Sequence, residues 1–253
     1  ATVDGAQIRN QTDATAQYLV DINAGVLDLT DSTIVNAWGT ALHLRAGGAV
    51  SATNVIINGA GNYGIFVGGG SKLSGDGLVI NNVTKNAKVS GAAGIGLKIQ
   101  GSVTMMDHLT IGDYDPDVAG SGMELDKSVT GIHSNNAIVV DAATATFSGY
   151  DLTIRNTPNG AAVYNKGTFF VTDLTVTDNK AGIYTRYNSC MTLSGKIVIS
   201  DFTAQQDLVI TLFNVANGHP VFGMSKGGGD TKRYGEQQQT HSIVNGNRQH
   251  KQS

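Results

Sequence analysis

The sequence predicts an all-β fold: a right-handed parallel β-helix, a solenoid of roughly 22-residue coils, about eight or nine of them. Three observations predict it. A short strand motif recurs at a near-constant interval, a second motif keeps the same beat, and glycine is abundant while proline is rare. Glycine numbers 33 of 253 residues and proline 3, so the excess belongs to frequent tight turns, where Gly accepts φ > 0 without a Cβ clash.

The first motif is an apolar-x-apolar triplet followed by a polar residue. It reads Val55-Ile56-Ile57-Asn58, Leu78-Val79-Ile80-Asn81, Leu109-Thr110-Ile111, Leu152-Thr153-Ile154, Leu174-Thr175-Val176 and Ile197-Val198-Ile199, with a weaker copy at Thr33-Ile34-Val35-Asn36. First positions fall at 33, 55, 78, 109, 152, 174 and 197, giving steps of 22, 23, 31, 43, 22 and 23. The step of 31 is one coil with a small insertion; 43 is either two coils or one with a large loop. The second motif is Gly64-Ile65, Gly94-Ile95, Gly131-Ile132 and Gly182-Ile183, joined by Ala162-Val163. Each coil therefore reads as a glycine turn followed by three short strands. No stretch keeps the helical period, and hairpin turns do not separate alternating strands.

Alternation within a strand assigns faces. Val55/Ile57, Leu78/Ile80, Leu109/Ile111, Leu152/Ile154, Leu174/Val176 and Ile197/Ile199 are expected inward. Ile34, Ile56, Val79, Thr110, Thr153, Thr175 and Val198 are expected outward, all β-branched. That outer row has two readings: it stiffens the sheet, or Ile34, Ile56 and Val79 form an apolar self-association strip. Polar residues follow the strands at Asn36, Asn58, Asn81, Asn82, Asn156, Asp178 and Asp201. Stacked at a turn they bond each other and the backbone, or the later ones line a ligand groove.

Composition bounds the function. A net charge of -3 argues against a nucleic-acid surface. The single Cys190 excludes an internal disulfide framework, and no apolar run is long enough for a membrane-spanning helix. No phosphate loop, nucleophile elbow or paired-histidine motif occurs, so no cofactor or metal is expected.

Departures from the beat mark loops and ends. Residues 1–17 are an N-terminal cap or an incomplete first coil, and 18–223 are the β-helix, with insertions near 83–93 and 112–128. Asp113, Asp115 and Asp117 alternate as calcium-loop acids do, without the Gly and distal Glu at their required spacing. From 224 to 253 a polar Gly-, Gln- and Asn-rich tail has too little apolar surface to order itself by packing.

The segments Gly94-Ile95-Gly96-Leu97-Lys98-Ile99 and Gly182-Ile183-Tyr184-Thr185, the latter followed by Leu193-Ser194-Gly195, resemble the coils of autotransporter passenger domains, the pertactin-like β-helical adhesins of Gram-negative bacteria. The resemblance covers about residues 18–212 and is shared in general rhythm with pectate lyases and phage tailspikes. It implies secretion, display at the bacterial cell surface, and adhesion, aggregation or biofilm formation, with surface glycans or proteins as partners. The family's terminal autochaperone segment and translocating barrel do not match any part of this sequence. For an extended ligand the expected ledge is Asn156, Asp178 and Asp201 with Arg186, and Tyr184 or Tyr187 stacking on a sugar. Two alternatives stand beside this. One is a polysaccharide lyase or hydrolase using Asp151 and Asp173, one coil apart, with Arg155 or His133 nearby; the other is a structural spike.

Overall fold

The computed structural model describes residues 1–10, 17–112, 132, 135–186 and 189–200, and the strand backbone of 210–212, 243–244 and 247–248. Among these residues every regular element is a strand. Short extended segments, most of them separated by one- to five-residue turns, cannot close hydrogen bonds internally, so each pairs with its equivalent one coil away. The result is a parallel β-solenoid of about seven turns stepping by about 23 residues. At the usual spacing between strands the stack is roughly 34 Å long.

Each coil contributes three walls. The first is an eight-stranded sheet: Tyr18–Asn23, Thr40–Arg45, Tyr63–Val67, Ile95–Ile99, Ile138–Val140, Thr157–Asn165, Asn179–Thr185 and Ile210–Leu212. The second holds Thr2–Asp4, Val26–Thr30, Ala49–Thr53, Lys72–Asp76 and Ser102–Met105. The third holds Gln7–Arg9, Thr33–Ala37, Ile56–Ala60, Leu78–Val83 and Leu109–Ile111. In the last coils one long strand serves both of these walls: Thr146–Ile154, Thr168–Val176 and Cys190–Ile199.

Register is regular apart from shifts between Thr157 and Ala161 and between Thr172 and Leu174. Val26 pairs with Ala49 and Ala49 with Lys72, 23 residues apart each time. Leu109 pairs directly with Leu152, so the interval of 43 is one coil carrying a large insertion. Thr2–Asp4 and Gln7–Arg9 already pair as second- and third-wall strands.

The core is three stacked rows. Leu42, Ile65, Leu97, Ile138, Val163 and Ile183 line the first wall, all at 1% exposure or less. Val50, Leu73, Val103, Phe147, Phe169 and Met191 line the second, with the Phe147 and Phe169 rings stacked at 4.9 Å. Ile34, Ile57, Ile80, Ile111, Ile154, Val176 and Ile199 line the third.

That last row corrects one expectation. Ile34 pairs with Ile57 and is fully buried, so it belongs to the core and not to an outer strip. The residue matching Ile56 is Thr33. The Ile34-Val35 pair fits either frame, and a slip of one residue exchanges the faces. Ile56 itself is only 6% exposed and Val79 is half-buried, so no continuous apolar self-association strip of Ile34, Ile56 and Val79 is presented.

Corners set that frame. Between the second and third walls Asp31, Asn54, Gly77, Asp151, Asp173 and Gly195 all take positive φ, a left-handed conformation that Gly, Asn and Asp tolerate best. At Gly77 (φ +64) a Cβ would lie 2.6 Å from the Asn54 side-chain oxygen. The Asn54 amide donates to Asp31 Oδ1 at 2.9 Å, linking neighbouring coils. Between the third and first walls the same role falls to Asn36, Gly59, Asn82, Asn156 and Asp178.

Candidate ligand-binding ledge

Outward side chains of the first wall fall into columns along the stack. One column runs Asp21, His43, Phe66, Lys98, Val139, Tyr164, Tyr184. A second, just past the strand ends, includes Gln100, Asp141, Lys166 and Arg186 on successive coils.

The two ends of this wall differ. Near the N-terminal end the rings stack on one another: Tyr18 on His43 at 4.1 Å and His43 on Phe66 at 5.1 Å. His43 is 5% exposed, and its Nδ1 meets Asp21 Oδ1 at 2.9 Å, a carboxylate that also takes Arg45 Nε at 3.1 Å. Ring faces and charges there are occupied by each other.

Toward the other end, Asp141 accepts from Lys166 Nζ at 2.6 Å and Lys98 Nζ at 3.2 Å, with the Gln100 amide at 3.5 Å. Burial alone would raise the Asp141 carboxyl, but Lys166 and Lys98 outweigh it and hold the group below its ordinary value of 3.8. Lys98 lies over the rings of Tyr63 and Phe66 at 5.3 and 5.6 Å, and Lys166 over Tyr164 at 5.4 Å. These contacts fix two long side chains against rigid supports, which lowers the entropy cost of any further bond they make.

The expected site residues are dispersed. Asn156 and Asp178 sit one coil apart on the third-to-first corner, both with positive φ, and the Asn156 amide donates to the Gly112 carbonyl at 2.9 Å. Arg186 is exposed at the opposite edge, beyond the seven-residue strand Asn179–Thr185. The structure thus brings Asn156 and Asp178 together and separates Arg186 from them. Tyr184 is on the first-wall column, half-buried. Asp201, Tyr187, His133, Asp113, Asp115 and Asp117 lie outside the described residues.

Asp151 and Asp173 do occupy equivalent corner positions on successive coils. Their carboxylates serve the corner: Asp173 Oδ1 accepts the Lys196 backbone N–H at 2.5 Å, and Asp151 Oδ2 meets His108 Nε2 at 2.9 Å. His108 Nδ1 lies 3.0 Å from Asp107, and Asp76, Asp107 and His108 bring one ligand-type atom each within 4.8 Å of one another, all exposed.

Lys98, Asp141, Lys166 and Tyr164 escaped the reading of the sequence. The signal lay in the residue after each Gly-Ile-like pair: Gly64-Ile65-Phe66, Gly96-Leu97-Lys98, Ala162-Val163-Tyr164 and Gly182-Ile183-Tyr184. Gly131-Ile132 obscured it, because Ile132 pairs with Val83 and the true first-wall copy is Ala137-Ile138-Val139. Comparisons with protein-family models, with curated proteins and with solved structures find no match.

Proposed function

We propose that this chain is a β-helical binding module displayed outside the cell, acting in adhesion, aggregation or biofilm formation. Its partner is an extended glycan or a surface protein lying along the first wall. The observation that carries this reading is the parallel pairing of that wall from coil to coil, which sets polar and aromatic side chains in columns over successive coils, the one register shift falling between Thr157 and Ala161 ahead of the Tyr164 position. A column repeating at about 4.8 Å suits a ligand that is itself long, while a compact substrate would need convergent groups. The coil rhythm and the parallel stack are compatible with a pertactin-like autotransporter passenger, and we place the chain in that class, with its secretion and bacterial surface location.

A polysaccharide lyase or hydrolase is the second reading. One observation favours it: His108 stands between the carboxylates of Asp107 and Asp151. The test is binding of the purified chain to a glycan and matrix-protein array, with polygalacturonate turnover followed in parallel. Saturable binding without turnover is expected. Turnover abolished by Asp151→Asn or Asp173→Asn would replace the binding role with the enzymatic one.

A further inference from the structure

Charge is sorted by coil on the first wall. Along Ile95–Ile99, Ile138–Val140, Thr157–Asn165 and Asn179–Thr185, together with the residue following each, stand four cations: Lys98, Lys166, Lys180 and Arg186. The same stretch holds one carboxylate, Asp141, already shared between two of those lysines. This excess occurs on a chain whose net charge is -3. Acids collect instead at the second-to-third corner, as Asp31, Asp76, Asp107, Asp151 and Asp173.

Spacing adds to sign. Lys166 and Arg186 are one coil apart in the same column, about 5 Å between backbones, and the Lys98 and Lys166 ammonium groups converge on Asp141 at 3.2 and 2.6 Å. Tyr164 and Tyr184 lie in the column beside them, both half-buried and so held in place. Gln100 and Asp141 add an amide and an acceptor at the same edge.

We infer that this part of the first wall binds an acidic polysaccharide, a uronate-bearing chain running along the solenoid axis. Its carboxylates pair with Lys98, Lys166 and Arg186, its hydroxyls bond to Asp141 and Gln100, and a ring lies against Tyr184, while Tyr164 supports Lys166 from below. The inference rests on the glycan form of the proposed function and narrows it. Four cations are few for the phosphate contacts that nucleic-acid binding uses.

Oligogalacturonate, its fully methyl-esterified neutral counterpart and a single-stranded DNA oligomer are titrated into the intact chain at low and high salt. The acidic sugar is expected to bind, to weaken with salt, and to lose tenfold or more in affinity in Arg186→Gln and in Lys166→Gln. Lys72→Gln on the second wall should leave the affinity unchanged. Arg186→Gln spares the Asp141 cluster, so its effect does not depend on that cluster surviving. Equal binding of the neutral sugar, indifferent to these changes, overturns the inference while the adhesin reading stands. Equal binding of DNA overturns the sugar assignment. Failure of every glycan and every surface protein on the array overturns the adhesin reading as well.

Discussion

The first-wall ledge and the second-to-third corner are built on the same ladder, yet they use polar residues in opposite ways. At the corner Asp31, Asn54, Asp151 and Asp173 hold positive φ, and their side chains bond to neighbouring coils or to the turn itself. On the ledge Lys98, Lys166 and Tyr164 sit on extended strands or just past them, and their backbone needs nothing from their side chains. A polar residue repeated every coil is therefore not by itself a binding surface. Where the backbone is left-handed the repeat is structural; where it is extended and the side chain faces outward, the side chain is available to a partner.

This contrast is open to measurement, beginning with the largest effect. Phe169→Ala, in the core behind the second wall, should cost about 3–5 kcal/mol in urea unfolding, because it leaves a cavity beside Phe147. It sets the scale for a residue that is structural throughout. Asn179→Ala should cost about 2–3 kcal/mol. That amide is fully buried, takes the Thr157 N–H at 3.1 Å and donates to the Ile154 and Thr177 carbonyls. At the corner, Asp173→Ala should lower Tm by several degrees while Asp173→Asn changes it little, since Asn keeps both the left-handed preference and an acceptor for Lys196 N–H. Equal losses for the two would erase the distinction drawn here. Lys166→Gln should leave Tm within a degree or two.

The smallest effect is a pH dependence. Asp141 has a folded pKa below its ordinary value of 3.8, so it binds its proton less readily folded than unfolded. Its contribution is thus present above 3.8 and is lost as pH falls through the folded pKa. The Tm gap between the parent chain and Asp141→Asn should be largest near neutral pH and close below pH 3.8. A gap that widened on acidification would show that the lysines do not stabilise this carboxylate.

Much of the stack was legible because alternation and coil length constrain each other. Leu78/Ile80, Leu109/Ile111 and Leu152/Ile154 were placed inward from pattern alone, and all are buried. Ile34 was misplaced because Ile34-Val35 offers two apolar residues in succession, and only the left-handed Asp31 before them fixes which one faces the core. The ledge was hidden for another reason. Its member Lys98 is separated in sequence from Asp141 and Lys166 by the insertion between Ile111 and Ile138, so a constant interval no longer connects it to them. Register restores the link through Lys98↔Val139 and Val139↔Tyr164.

Each described coil from the second wall's Val26–Thr30 onward is joined to the next chiefly by parallel ladders whose hydrogen bonds point along the stack. Tension applied along that axis loads these bonds end-on, one coil at a time, and not all at once as in a sheet sheared along its strands. Under traction the protein should yield by peeling, each step releasing a coil's worth of chain at modest force while the remaining turns keep their form. A solenoid pulled this way lengthens in increments, without surrendering the coils that have not yet been reached.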